Sequence, residues 1–295
     1  HITGDSQIRW IGPDKGVVHL ATGAIVNAIW DLWAKVEQKS VWQLIYDMEP
    51  EEVVQLIDFR YLTDALTKEE AFNILAKASV SKQERYNLLI NEGYPSYTTS
   101  AGWLGYPDEK LRKLCIKAIK AGFTHVKFKV GRDLQDDIRR LKIAREVLGN
   151  QVQLMIDANQ VWEVNQAIEW VNKLQFASPF FIEEPTSPDD VIGHKTIKNG
   201  VFPVKVATGE MCQNRIIFKQ FIKEDAVDII QIDSCRMGGL NEVLAVMIMA
   251  EKYKKPVWPH AGGVGLCEYV QHISMIDYLL ISCDKNSKRI EYVDH

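Results

Sequence analysis

Six titratable side chains, each closing a short β-rich segment, follow one another along this 295-residue chain at nearly constant intervals. Lys129 ends Val-Lys-Phe-Lys, Asp157 ends Leu-Met-Ile-Asp, Glu183 ends Phe-Phe-Ile-Glu, Glu210 ends Ala-Thr-Gly-Glu, Asp233 ends Ile-Ile-Gln-Ile-Asp and His260 ends Val-Trp-Pro-His. The intervals are 28, 26, 27, 23 and 27 residues, each about the length of one strand, one crossover helix and their loops. A chain with that repeat is strongly constrained. Successive βα units build a parallel sheet, and if the sheet curls into a barrel all six groups ring its C-terminal mouth.

Eight β-rich segments carry the repeat: Tyr97 to Ser100, His125 to Val130, Gln153 to Asn159, Phe180 to Glu184, Val204 to Glu210, Asp228 to Asp233, Pro256 to His260 and Arg289 to Val293. Helix-patterned stretches lie between them, among them Asp136 to Leu148, Gln166 to Leu174, Gln213 to Ile222, Asn241 to Tyr253 and Gly265 to Ile276. The predicted fold class is therefore α/β, a (β/α)7β TIM-like barrel over residues 94–295. The one glycine-rich turn, Ala261-Gly262-Gly263-Val264-Gly265, follows the seventh segment and lacks the third glycine of a dinucleotide fingerprint. It reads as a backbone-donor loop opening a helix.

Residues 1–93 read differently. Ile25, Ile29, Leu32, Trp33, Val36, Val41 and Leu44 fall at helical spacing and predict two amphipathic helices, broken near Lys39-Ser40, with the apolar stripe packed on a neighbour. The stretch from Met48 to Gly93 is polar and helical in pattern, with a start signal at Thr67-Lys68-Glu69-Glu70.

A formal net charge of -4 supplies no basic surface for phosphates, so no nucleic acid partner is expected. No membrane is expected either, because no apolar run reads as the roughly 20 residues a span needs. The five cysteines are odd in number and scattered, without metal or redox spacing. They read as thiols of a reducing compartment, predicting a cytoplasmic location, with a mitochondrial one left open because the chain begins without Met. Homo-oligomer formation is compatible with all of this.

The chemistry lies in the ring. Asp157, Glu183 and Glu210, from consecutive strands, offer hard oxygen ligands that suit Mg²⁺, and the absence of His or Cys at ligand spacing argues against zinc. Glu184 competes with Glu183, but strand alternation points it the other way. Lys127 and Lys129 share a strand face, inward in a barrel, where desolvation and a neighbouring cation should lower an ammonium pKa toward that of a base. Asp233 can orient His260. Glu291, in the eighth segment, completes the ring. Lysine and histidine on two sides of a metal are what proton abstraction beside a carboxylate requires.

These residues resemble the enolase superfamily, in its mandelate racemase branch, and most nearly the L-fuconate dehydratases. That family's pairing of a Lys or His base with Mg²⁺ is well known. The resemblance runs from Gly4-Asp5-Ser6-Gln7 to Tyr292-Val293-Asp294-His295 and rests on Lys127-Phe128-Lys129, Asp157-Ala158-Asn159-Gln160, Ile182-Glu183-Glu184-Pro185-Thr186-Ser187-Pro188-Asp189-Asp190, Ala207-Thr208-Gly209-Glu210 and Pro259-His260-Ala261-Gly262-Gly263-Val264-Gly265. It implies that Asp157, Glu183 and Glu210 bind Mg²⁺, that Lys129 removes the proton at carbon 2, and that Lys127 contacts the substrate carboxylate. It further implies that His260, oriented by Asp233, helps the 3-hydroxyl leave, and that Asn159 and Glu291 bind substrate oxygens. The small-molecule substrate would be a sugar acid and the product a 2-keto-3-deoxy acid. The same resemblance makes residues 1–93 the remnant of a partial α+β capping domain and a helical connection, and residues 94–295 the catalytic barrel domain. Two other readings stay open: a racemase or epimerase using the same two groups as opposed bases, and a catalytically silent barrel that keeps its metal ligands.

Overall fold

The computed structural model describes residues 5–12, 14–263 and 265–293. Gly4, Val264, Asp294 and His295 of the motifs above lie outside them. In chain order the elements are α1 (Gly16–Val36), α2 (Val41–Tyr46), α3 (Pro50–Gln55), α4 (Lys68–Ser79), α5 (Lys82–Glu92), β1 (Ser96–Gly102), α6 (Asp108–Lys120), β2 (His125–Lys129), α7 (Leu134–Leu148), β3 (Gln153–Asp157), α8 (Val164–Leu174), β4 (Pro179–Glu183), α9 (Val191–Gly200), β5 (Lys205–Thr208), α10 (Arg215–Lys223), β6 (Ile229–Ile230), α11 (Leu240–Lys252), α12 (Leu266–Ile276) and β7 (Ile290–Tyr292). They fall into two compact units. One comprises His1–Pro95, Gly209–Lys223 and Ile230–Ile290, the other Ser96–Thr208, Glu224–Ile229 and Glu291–His295. We call them the helical unit and the sheet unit.

The sheet is parallel, with strand order β6-β5-β4-β3-β2-β1-β7, the order of a (β/α)7β barrel. Val126, Phe128, Leu154, Ile156, Phe181, Ile182 and Val206 fill it and are fully buried. A parallel sheet covered on its outer face by helices reads as such near-continuous apolar runs, and each side chain of this kind contributes about 1.5–3 kcal/mol on burial. Register is what matters for chemistry. Lys129 faces Asp157 across β2 and β3, and Asp157 faces Glu183 across β3 and β4, so the three charged ends form one row.

The later strands are shorter than expected. β5 ends at Thr208, which leaves Glu210 in the following turn; β6 is reduced to Ile229–Ile230, and the seventh segment pairs only through Ile230 and Val257. Asp233 and His260 are therefore loop residues, although the hydrogen bonds Trp258 N to Ile230 O (2.8 Å) and His260 N to Ile232 O (2.9 Å) keep their segments adjacent. Among the described residues no ladder joins the segment around Val257 to β7.

In the helical unit the described residues before β1 form helices and turns. The break between α1 and α2 comes where expected, with Ser40 and Gln43 forming a capping box, and Thr67 and Glu70 form another at the start of α4. The expectation for the apolar stripe of α1 is overturned. Ile25, Ile29, Leu32, Trp33 and Val36 are exposed, Val36 by 70%, while His19, Gly23, Trp30 and Ala34 are buried. The packed face is the one with small and hydrogen-bonding side chains, such as Trp30, whose Nε1 donates to Asn241 Oδ1 at 2.9 Å. Periodicity identifies an apolar face but not the element that covers it. The expectation that no run is long and apolar enough to cross a membrane is also corrected, since α1, at 21 residues, meets that test by length and composition.

Candidate active site

In the sheet unit, five of the nine predicted site residues converge. Lys127 lies in the middle of β2 and is 2% exposed, and its Nζ stands 2.7 Å from Glu183 Oε2, 3.0 Å from Glu291 Oε1 and 3.8 Å from Asp157 Oδ2. Lys129, two residues on and so on the same strand face, donates to Asp157 Oδ2. Both ammonium groups also face aromatic rings, Lys127 that of Tyr97 at 5.4 Å and Lys129 that of Trp103 at 5.6 Å. Buried Arg140 secures the strand ends by donating to the carbonyls of Lys129 (2.6 Å), Gly102 (2.7 Å) and Trp103 (3.1 Å).

Burial is the strongest influence on the Lys127 ammonium and pulls its pKa down. Glu183, Glu291, Tyr97 and Asp157 together outweigh it, so the pKa is held well above the usual lysine value. The expected lowering is thus reversed for Lys127, because four acidic partners surround it. Asp157 is pushed up, first by burial and then by the charge of Glu183, with both lysines pulling the other way. Two buried carboxylates facing each other across neighbouring strands are costly without nearby positive charge.

Asn159 sits in the turn after β3, at φ +46°, and its backbone N–H donates to Asp157 Oδ1 at 2.9 Å. The next residue, Gln160, ties that turn to the adjacent one, with its Nε2 donating to both oxygens of Glu184 at 2.9 and 3.0 Å. Strand alternation thus separates the two glutamates: Glu183 joins the lysine row and Glu184 is bound by Gln160.

The helical unit holds the other three. His260 Nδ1 is 2.8 Å from Asp233 Oδ2 and its Nε2 is 3.2 Å from Glu210 Oε2. The other Asp233 oxygen accepts the backbone N–H groups of Cys235 (2.8 Å) and Arg236 (3.2 Å), which fixes the carboxylate that orients the imidazole. Sequence reasoning missed Arg236. Its guanidinium reaches Glu210 O at 3.1 Å, Glu210 Oε1 at 3.3 Å and Asp233 Oδ2 at 3.5 Å, bridging two of the predicted residues. Its only sequence signal is its place three residues after Asp233. Tyr97 and Trp103 were also missed, being uncharged.

The donor set fits a hard divalent cation. Asp157 and Glu183 in the sheet unit and Glu210 in the helical unit are buried carboxylates, and oxygen ligands of this kind suit Mg²⁺.

Residues 110–294 match the family described as "Enolase C-terminal domain-like". The chain is 54% identical over 296 residues to the human protein "Mitochondrial enolase superfamily member 1", covering 100% of this chain and 67% of that one. The crystal structure of that human protein superposes with a TM-score of 0.97 over the same shares. The L-galactonate dehydratase of Hypocrea jecorina is 55% identical over 300 residues, 100% of this chain and 66% of its own length. The L-talarate/galactarate dehydratase of Salmonella typhimurium LT2, solved liganded with Mg and L-lyxarohydroxamate, is 29% identical with a TM-score of 0.60, over 76% of this chain and 57% of that one. Magnesium is thus bound in a solved relative, and sugar-acid dehydratases recur among the relatives. The chain belongs to the enolase superfamily, on its mandelate racemase side.

Proposed function

We propose that this chain catalyses the Mg²⁺-dependent dehydration of a sugar acid, with L-fuconate and L-galactonate as the preferred substrates. The observation that carries the reading is the in-register row of Lys129, Asp157 and Glu183, which sets a lysine beside buried carboxylates suited to a hard cation. L-Fuconate is L-galactonate without its terminal hydroxyl, so the motif resemblance and the Hypocrea jecorina relative point to one stereochemical pattern.

In this reading the bound cation supplies positive charge against the negative charge that develops on the substrate carboxylate. Lys127 orients that carboxylate, with Glu291 and Asn159 contributing to substrate binding. Lys129 takes the proton from carbon 2. His260, held by Asp233, gives a proton to the departing 3-hydroxyl, which leaves as water; the enol so formed loses its hydroxyl proton to solvent while His260, reprotonated, delivers one to carbon 3 to complete the 2-keto-3-deoxy acid.

The test is a panel of acid sugars with Mg²⁺, including L-fuconate, L-galactonate, galactarate and an arabinonate, read by mass spectrometry for loss of one water. The expected result is a 2-keto-3-deoxy product from the first two. Inversion at carbon 2 without loss of water would replace the reading with an epimerase. No conversion of any acid, with Mg²⁺ bound, would favour the silent barrel.

A further inference from the structure

The packed face of α1 carries one side chain that touches both flanks of the Asp233–His260 pair. Asn27 Nδ2 donates to Ser234 O at 3.0 Å, directly after Asp233. Its Oδ1 accepts two bonds, from Leu240 N at 3.1 Å and from the Tyr269 hydroxyl at 2.7 Å. Leu240 opens α11, which ends the loop that begins at Asp233, and Tyr269 lies in the first turns of α12, after the loop that begins at His260. One carboxamide therefore links the carboxylate's loop to the helix that closes the imidazole's loop. The junction uses an N–H donor and, on a separate atom, an oxygen that accepts two bonds, both of which a carboxamide supplies. Burial holds the Tyr269 hydroxyl protonated, well above its usual range, so it remains a donor.

The seat of this contact is built for close approach. A Cβ on Gly23, one turn before Asn27, would stand 2.2 Å from Met237 O, and one on Gly239, at φ +91°, would stand 2.7 Å from Val26 Cγ1. Glu242 Oε2 accepts Gly238 N at 3.0 Å and stands 2.5 Å from His19 Nε2 on α1. The backbone from 237 to 239 is thus pressed against α1, and Asn27 bonds the residue that follows Asp233.

We infer that Asn27 is a positioning residue for the Asp233–His260 pair, acting from helix α1 on the loops that carry both groups. The inference rests on the proposed dehydratase reading, in which His260 drives loss of the hydroxyl and Lys129 takes the proton. A misplaced imidazole should then slow elimination and leave proton removal intact. A shift of about an ångström in a catalytic group can cost about a hundredfold.

The experiment uses the purified protein with Mg²⁺ and whichever of L-fuconate or L-galactonate it turns over, in deuterated water. It compares Asn27→Ala, Asn27→Asp and Tyr269→Phe with the parent, reading deuterium at carbon 2 of recovered substrate beside dehydration. In Asn27→Ala, dehydration should fall about a hundredfold while the rate of exchange stays close to that of the parent. Asn27→Asp, which keeps the acceptor but loses the donor to Ser234 O, should fall between the two. Tyr269→Phe keeps the ring and should show the same split more weakly, so the idea stays testable if Asn27→Ala folds badly. Exchange and dehydration falling together, or neither changing, in Asn27→Asp and Tyr269→Phe would overturn the inference. If the parent dehydrates nothing, the functional reading has failed separately, and backbone hydrogen exchange decides: faster exchange over residues 233–240 but not 153–160 in Asn27→Ala supports positioning, and unchanged exchange rejects it.

Discussion

The predicted site residues of the two units are held in place by different means. In the sheet unit, Lys129, Asp157 and Glu183 are placed by backbone register, each facing the next across a parallel ladder. In the helical unit, Glu210, Asp233 and His260 lie beyond the ends of short or vestigial strands, and side-chain hydrogen bonds and ion pairs do the placing: Asp233 to His260, Arg236 to Glu210 and Asp233, and Asn27 to the loop behind them. A ladder tolerates the loss of one side chain without moving its neighbours. A loop held chiefly by a few polar contacts is displaced more easily, because fewer ladder bonds order its backbone. Substitutions in the two regions should therefore fail in different ways.

The largest effect is expected at the row. Lys129→Ala should stop both deuterium exchange at carbon 2 and dehydration, each by about a hundred to ten thousand fold, the usual loss for a general base. Metal binding and fold should survive, since Asp157 and Glu183 keep their strand positions. Exchange that persists in this variant would assign the base elsewhere. Next comes the metal. At a hundred times its dissociation constant, Mg²⁺ should stabilise the folded protein by about 2.7 kcal/mol, and Glu183→Gln should remove most of that increment in a thermal melt. The comparison is made with and without Mg²⁺ for each variant, so any change in basal stability cancels. An unchanged increment would place the ion elsewhere.

How much of this was legible follows the same division. The row could be read because strand period and repeat length are printed in the sequence, and alternation alone separated Glu183 from Glu184. The capping boxes at Ser40 and Thr67 were equally local. The helical unit's half was less legible: the pairing of Asp233 with His260 could be anticipated from adjacent strands, but not the shortness of those strands. Nor could the supports be seen, since Asn27 meets Ser234 and Tyr269 across 207 and 242 residues. The stripe on α1 misled for a related reason. Ile25, Ile29, Leu32 and Val36 make a regular apolar face, yet the face that packs carries Gly23, Asn27 and Trp30, chosen by close approach and hydrogen bonding. Likewise, the direction of the Lys127 pKa depends on four acidic partners, two of them from β4 and β7, that no local pattern lists together.

A smaller effect would sharpen the contrast from the sheet side. Asp137, on α7, accepts the Gly131 N–H at 2.7 Å beside Arg140, below the end of β2. Burial pushes its pKa up to about 6, against the pull of Gly131 and Arg140. A carboxyl whose folded pKa exceeds its unfolded value of 3.8 binds more protons when folded, so it makes stability fall as pH rises from about 4 to about 6. Asp137→Asn should remove that contribution, so that the difference in melting temperature between variant and parent changes across this window and is flat above it. A difference that is flat throughout would mean the carboxyl is not shifted, and because the lysine row is held by register, carbon-2 exchange should change little.

In the proposed dehydration, proton removal belongs to the lysine row and departure of the hydroxyl to the histidine pair. The most direct measurement is made on His260→Asn with Mg²⁺ and L-fuconate or L-galactonate in deuterated water, following deuterium at carbon 2 and the 2-keto-3-deoxy acid in the same sample. Deuterium should still enter at carbon 2 while dehydration falls by about a hundred to ten thousand fold. Dehydration within a factor of about two of the parent, well short of the loss expected for a general acid, or loss of exchange in step with elimination, would contradict it.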